Sequence, residues 1–103
     1  MRLFRQPTID DLKNRGFLLY TKFGLNKSPA DSVRESFPSV EVELKNTWIT
    51  DFKKIEIELT RHYSQSLNDN KVIMDQLKSR FPFLNRRSCK RIEFLLWYSR
   101  LRG

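Results

Sequence analysis

Four basic residues, Arg86, Arg87, Lys90 and Arg91, fall at i, i+1, i+4 and i+5, and they are the densest chemistry the sequence offers. On a helix these positions occupy two adjacent turns. Arginine forks onto phosphate, carboxylate or guanine, and lysine holds phosphate as a point charge. The grouping therefore suits a polyanion. An apolar stretch follows at once: Phe94, Leu95, Leu96, Trp97, Tyr98 and Leu101. Phe94 to Tyr98 are consecutive and cover too much of a helix circumference to face one core. Phe94, Trp97, Tyr98 and Leu101 accordingly read as core residues or as a docking patch for a protein partner or a second copy. Stacking of the rings on unpaired bases is a third use of the same residues.

Charge is segregated along the chain. The net charge of the 103 residues is +8. From Lys78 onward the basic residues are Lys78, Arg80, Arg86, Arg87, Lys90, Arg91, Arg100 and Arg102, against the single acid Glu93. The preceding residues are nearly balanced, with twelve basic against eleven acidic. A local positive potential of this kind attracts nucleic acid or another acidic surface. A solvated basic face is the alternative reading of the same run.

Little in the sequence suits catalysis. His62 is the one histidine and Cys89 the one cysteine, and a nucleophile–base pair would have to be built from these two. Each reads more simply as a helix residue, His62 partly buried and Cys89 small and core-facing. No residues have zinc-ligand spacing, and Gly16, Gly24 and Gly103 form no phosphate-binding loop. An enzyme is not expected, nor is a cofactor. One cysteine excludes an internal disulfide and fits a reducing, intracellular setting. No apolar run reaches the roughly 20 residues of a membrane-spanning helix.

The elements that position these residues are helical by spacing and by punctuation. Met1 to Pro7 read as a basic arm. Thr8 with Asp11 makes a capping-box start. Ile9, Leu12, Gly16, Leu19 and Phe23 then predict a first helix over 9–23, stopped at Gly24. Ser28-Pro29-Ala30-Asp31 starts a short helix that ends before Pro38, with Val33 and Phe37 inward. Over 39–64 two periods compete. Val40 to Leu44 and Lys54 to Leu59 alternate as strands do. Trp48, Phe52, Ile55 and Leu59, continuing to His62 or Tyr63, form a helical stripe. The stripe favours a helix over 47–64, with a break near Asn46-Thr47, and leaves 39–46 open between helix and strand. Asn68-Asp69-Asn70 reads as turn and cap, Ile73, Leu77 and Phe81 as a short helix stopped before Pro82, and Asn85 as the cap of the last helix.

Two segments match at a shift of 44 residues: Asp31 to Pro38, with Val33 and Phe37, against Asp75 to Pro82, with Leu77 and Phe81. In each half a longer helix precedes a short helix ending in Phe-Pro, and a third helical segment follows. A repeated period of this kind marks one supersecondary unit used twice. The expected fold is all-α, a small bundle of about five helices. It divides into a unit over 1–46 and a three-helix unit over 47–103, packed as one body.

A three-helix unit with a basic third helix is the helix-turn-helix plan. Residues 47–103 resemble a Myb/SANT-type, homeodomain-like domain. Trp48 stands near the start of the first helix, as that family's first tryptophan does. Asn70-Lys-Val-Ile73-Met74-Asp-Gln-Leu77 is similar to the family's second helix, and Asn85-Arg-Arg-Ser-Cys89-Lys-Arg to the opening of its third. Asn70 stands where the family usually carries tryptophan, the connection from Arg80 to Leu84 is long, and the third-helix aromatic is displaced to Phe94 or Trp97. The resemblance implies that Arg86, Arg87, Lys90 and Arg91 face double-stranded DNA, in a nuclear, chromatin or transcription setting. Lys78 and Arg80 extend that surface by their charge. RNA is a further candidate partner. The resemblance also implies that the less basic first half, with Glu41 and Glu43, docks a protein, as SANT units do.

Overall fold

The computed structural model describes residues 6–22, 28–65 and 70–102, with the backbone alone at 62–65 and 99–102. Among them are five helices and no strands. They are α1 (Ile9–Tyr20), α2 (Pro29–Glu35), α3 (Val42–Gln65), α4 (Asn70–Arg80) and α5 (Arg86–Arg102). The all-α expectation holds. The basic arm, Gly24 and the Asn68-Asp69 turn lie outside the described residues.

Helix α1 begins as its sequence dictates. The Thr8 hydroxyl accepts from the Asp11 N–H at 3.0 Å, and the Asp11 carboxylate accepts from the Thr8 N–H at 2.9 Å. It ends three residues earlier than expected, at Tyr20, where the Thr21 hydroxyl donates back to the Phe17 carbonyl at 2.8 Å. Its inward face also differs. Asn14, Gly16, Phe17 and Tyr20 are buried, while Ile9 is 52% exposed. The reason is aromatic. Phe17 and Tyr20 each pack on Phe52 with ring centroids 5.5 Å apart, and that contact rolls the helix so that Ile9 leaves the core while Leu12 and Gly16 of the expected stripe stay against it.

Helix α2 starts at Ser28, whose hydroxyl accepts from the Asp31 N–H at 3.1 Å. Its other end is held by a lysine from α3. Lys45 is 4% exposed, and its ammonium donates to the carbonyls of Arg34 at 2.7 Å and Ser36 at 2.9 Å. A cation at helix C-terminal carbonyls is favoured by the macrodipole. Phe37 next to it takes a positive φ of 58°, which is uncommon for a side chain with Cβ. Its ring then meets Trp48 edge-on at 5.9 Å.

Helix α3 is continuous from Val42, so the expected break at Asn46-Thr47 is absent, and the 46/47 boundary between two units falls inside one helix. The would-be caps are occupied otherwise. The Thr47 hydroxyl donates to the Leu44 carbonyl at 2.6 Å, and the Asn46 side-chain oxygen accepts from Arg34 Nε at 3.0 Å. Hydroxyls bonded back into their own helix do not stop it. Trp48 consequently lies nearly two turns inside α3, not near its start. The stripe Trp48, Phe52, Ile55 and Leu59 is buried throughout, at 3% exposure or less. Around it gather Phe17 and Tyr20 of α1, Val33 of α2, Ile73 and Leu77 of α4, and Ile92 and Leu96 of α5, in one core.

Two predictions follow from α1. A Cβ placed on Gly16 would lie 3.5 Å from the Phe52 and Trp48 rings, an ordinary contact. Gly16→Ala should therefore raise stability by about 0.5–1 kcal/mol through helix propensity and chain entropy. Gly16→Leu should lose about 1–3 kcal/mol by overpacking. Urea denaturation of both variants checks the pair of signs. The Tyr20 hydroxyl donates to the Glu56 carboxylate at 3.1 Å. Burial first, and the Glu56 charge second, push its pKa from 10.0 to about 12. Its folded pKa is raised, so this contribution is intact below pH 10 and fades as pH rises through 12. Alkaline denaturation of Tyr20→Phe should lack that part of the decline.

Candidate nucleic-acid interface

Helix α5 is started and seated by α1. Asn85 caps it, accepting from the Ser88 N–H at 3.0 Å. Behind this cap lies Asn14, 3% exposed. The Asn14 amide nitrogen donates to the carbonyls of Asp10 and Phe83, both at 2.8 Å. Its oxygen accepts from the Asn85 N–H at 2.9 Å and from the Ser88 hydroxyl at 2.6 Å. Both donors and both acceptor sites of the amide are used, as a buried amide requires. One turn further along, the Arg91 guanidinium donates to the Leu18 carbonyl at 3.0 Å and to the Thr21 hydroxyl at 2.9 Å. These are groups at the negative end of the α1 dipole.

The six expected contact residues therefore separate. Arg91 is half-buried and committed to α1, so its place is a clamp on the scaffold. Arg80 donates to the Glu58 carboxylate at 2.5 Å and lies 5.4 Å from the Phe81 ring, tying α4 to α3. Arg86, Arg87, Lys90 and Lys78 are exposed. Among the described residues no acid forms an ion pair with any of these four. The structure adds Arg15 of α1, which is exposed and shares a shallow depression with Arg87, Asn85 and Leu18. Asp11 also lines that depression. Arg15 sits in a stretch of balanced charge, and nothing in its spacing signals the site. Only the packing of α1 on α5 brings it there.

Three exposed cations thus stand in the first turns of α5, a helix with no acid in its first turn. The macrodipole disfavours the two in the first turn itself, Arg86 and Arg87, by roughly 0.3–1 kcal/mol each. The placement does not serve the helix itself. A bound phosphate would relieve both the mutual repulsion and the dipole.

The aromatic end falls out differently from a core. Ser88, Ile92 and Leu96 point inward, at 1% exposure or less, and Leu95 is half-buried. Arg87, Lys90, Phe94, Trp97 and Tyr98 share the opposite stripe, at about 100° per residue. Phe94, Trp97 and Tyr98 are 42%, 54% and 36% exposed, which overturns the core reading for these three. The Leu101 side chain is outside the described residues, as is that of His62. Cys89 is half-buried against the core, and burial pushes its thiol pKa up, so it is held protonated at neutral pH.

Among the described residues no group of histidine, cysteine, aspartate or glutamate is placed to hold a metal ion, and no helix is long and apolar enough to cross a membrane. No protein-family profile matches the chain, and no curated protein or solved structure matches it.

The Asn14 hub yields a stability prediction. Asn14→Ala leaves the Phe83 carbonyl, the Asn85 N–H and the Ser88 hydroxyl without their partner. Unfolding free energy should fall by about 1–3 kcal/mol, the cost of unsatisfied buried groups. Guanidinium denaturation checks it, and a loss near zero would contradict the hub.

Proposed function

We propose that the chain binds double-stranded DNA through the first turns of α5, in a nuclear setting such as transcription or chromatin. Arg86, Arg87 and Lys90 contact phosphates and base edges, and Lys78 and Arg15 add phosphate contacts at the flanks. The observation that carries this reading is the group of exposed, unpaired cations at a helix start that the dipole disfavours. The order α3, α4, α5, with a basic last helix whose outer face is free of the core, agrees with the helix-turn-helix plan to which residues 47–103 are similar. A helix of about 10–12 Å diameter fits the roughly 12 Å major groove of B-form DNA. The deep, narrow major groove of duplex RNA does not admit it, which favours DNA over RNA. No catalytic step belongs to this reading.

Fluorescence anisotropy with duplex DNA at two salt concentrations tests the proposal. The R86A/R87A/K90A triple variant should bind more weakly, with the slope of log affinity against log salt reduced by about 0.9 for each phosphate contact removed. Arg91→Ala should act through stability instead, because that side chain holds α1. A folded triple variant with wild-type affinity would overturn the proposal.

A further inference from the structure

The stripe of α5 opposite the core carries cations first, then Phe94, Trp97 and Tyr98. The three rings form one cluster. Phe94 lies 5.9 Å from Trp97 and 6.0 Å from Tyr98, tilted by 37° and 30°. Ile92 and Leu96 fill the core side of the same turns, and the rings stand on the solvent side. Trp97 alone leaves 54% of its surface in water. Tryptophan, tyrosine and arginine side by side are the residues that dominate binding energy at protein interfaces.

We propose that this cluster docks an acidic, amphipathic helix of a partner protein. The apolar side of that helix would cover the three rings, and its flanking carboxylates would meet Arg87 and Lys90. Charge selects this occupant. Lys90 and Arg87 lie on one side of the rings along the helix, Arg100 and Arg102 follow them in sequence, and Glu93 is the single acid on α5. A second copy would set this cationic helix against its own like, which repels. Ring geometry separates a peptide from unpaired bases. Rings that lean on one another along a helical ridge offer a contiguous apolar area, whereas base stacking needs open ring faces. The docking surface lies beyond the DNA-contacting turns, so one helix would hold a nucleic acid at its start and a protein toward its end.

The test titrates the intact protein with a synthetic helical peptide that carries leucines at i, i+3, i+4 and i+7 and glutamates on both flanks. An isomer with lysines in place of the glutamates serves as control. Duplex DNA affinity is measured in parallel. The acidic peptide should bind at least tenfold more tightly than the lysine isomer. Trp97→Ala, at an exposed position, should weaken it at least tenfold and leave duplex affinity within about twofold. Lys90→Gln should weaken peptide binding less, and more so at low salt. Equal binding of the two peptides, or no binding of either, overturns the proposal. Three other results reassign the surface and likewise overturn it. They are Trp97-dependent binding of a single-stranded oligonucleotide, Trp97-dependent binding of phosphatidylserine vesicles, and self-association abolished by Trp97→Ala. Loss of duplex binding by R86A/R87A/K90A bears on the DNA reading alone, so the two failures are distinguishable.

Discussion

The buried Asn14 amide is the constraint on which the placement of α5 depends. It joins the first turns of α1, the Phe83 carbonyl in the connection before α5, and the first turn of α5 itself. An amide with all its sites engaged away from water tolerates few alternative geometries, because any slip leaves a polar group unpaired. Arg91 repeats the constraint one turn on, with its guanidinium on the end of α1. Between them these two residues fix both the start and the roll of α5. The roll decides which side chains face the core and which remain exposed.

From this follows the division of labour along α5. Its inner face closes the core against α3, and its outer face keeps Arg86, Arg87 and Lys90 in water. The arginine withdrawn from that surface, Arg91, is spent on holding the helix. Arg80, also expected at that surface, links α4 to Glu58 of α3 instead. Helices α1, α3 and α4 each pack on α5, and α2 packs on α1 and α3. Through Phe17 and Tyr20 on Phe52, α1 belongs to the same core as α3. Helix α3 runs unbroken across the 46/47 position.

Most of the helices were legible because their signals are local. Thr8 with Asp11, Ser28 with Pro29, and Asn85 mark helix starts whatever the tertiary setting. The Trp48–Leu59 stripe is long enough for its period to outweigh the strand-like alternation of Lys54 to Leu59. What remained hidden was decided by distant contacts. The roll of α1 depends on Phe52, which lies 35 positions beyond Phe17. The continuity of α3 depends on where Thr47 sends its hydroxyl. The cation cluster was visible as composition. Its partition into exposed Arg86, Arg87 and Lys90 and engaged Arg91 and Arg80 required the α1 carbonyls and Glu58 to be in place. Arg15 was invisible for the same reason.

In the proposed function α5 presents its opening turns to a polyanion while α1 holds it from behind. Backbone amide NMR of the labelled protein, titrated with duplex DNA at low salt, examines that claim directly. Chemical-shift changes should concentrate at Arg86, Arg87 and Lys90, with smaller ones at Arg15 and Lys78. The amides of α2 and the buried stripe of α3 should stay still. Changes centred on α2, or no changes at all, would contradict it.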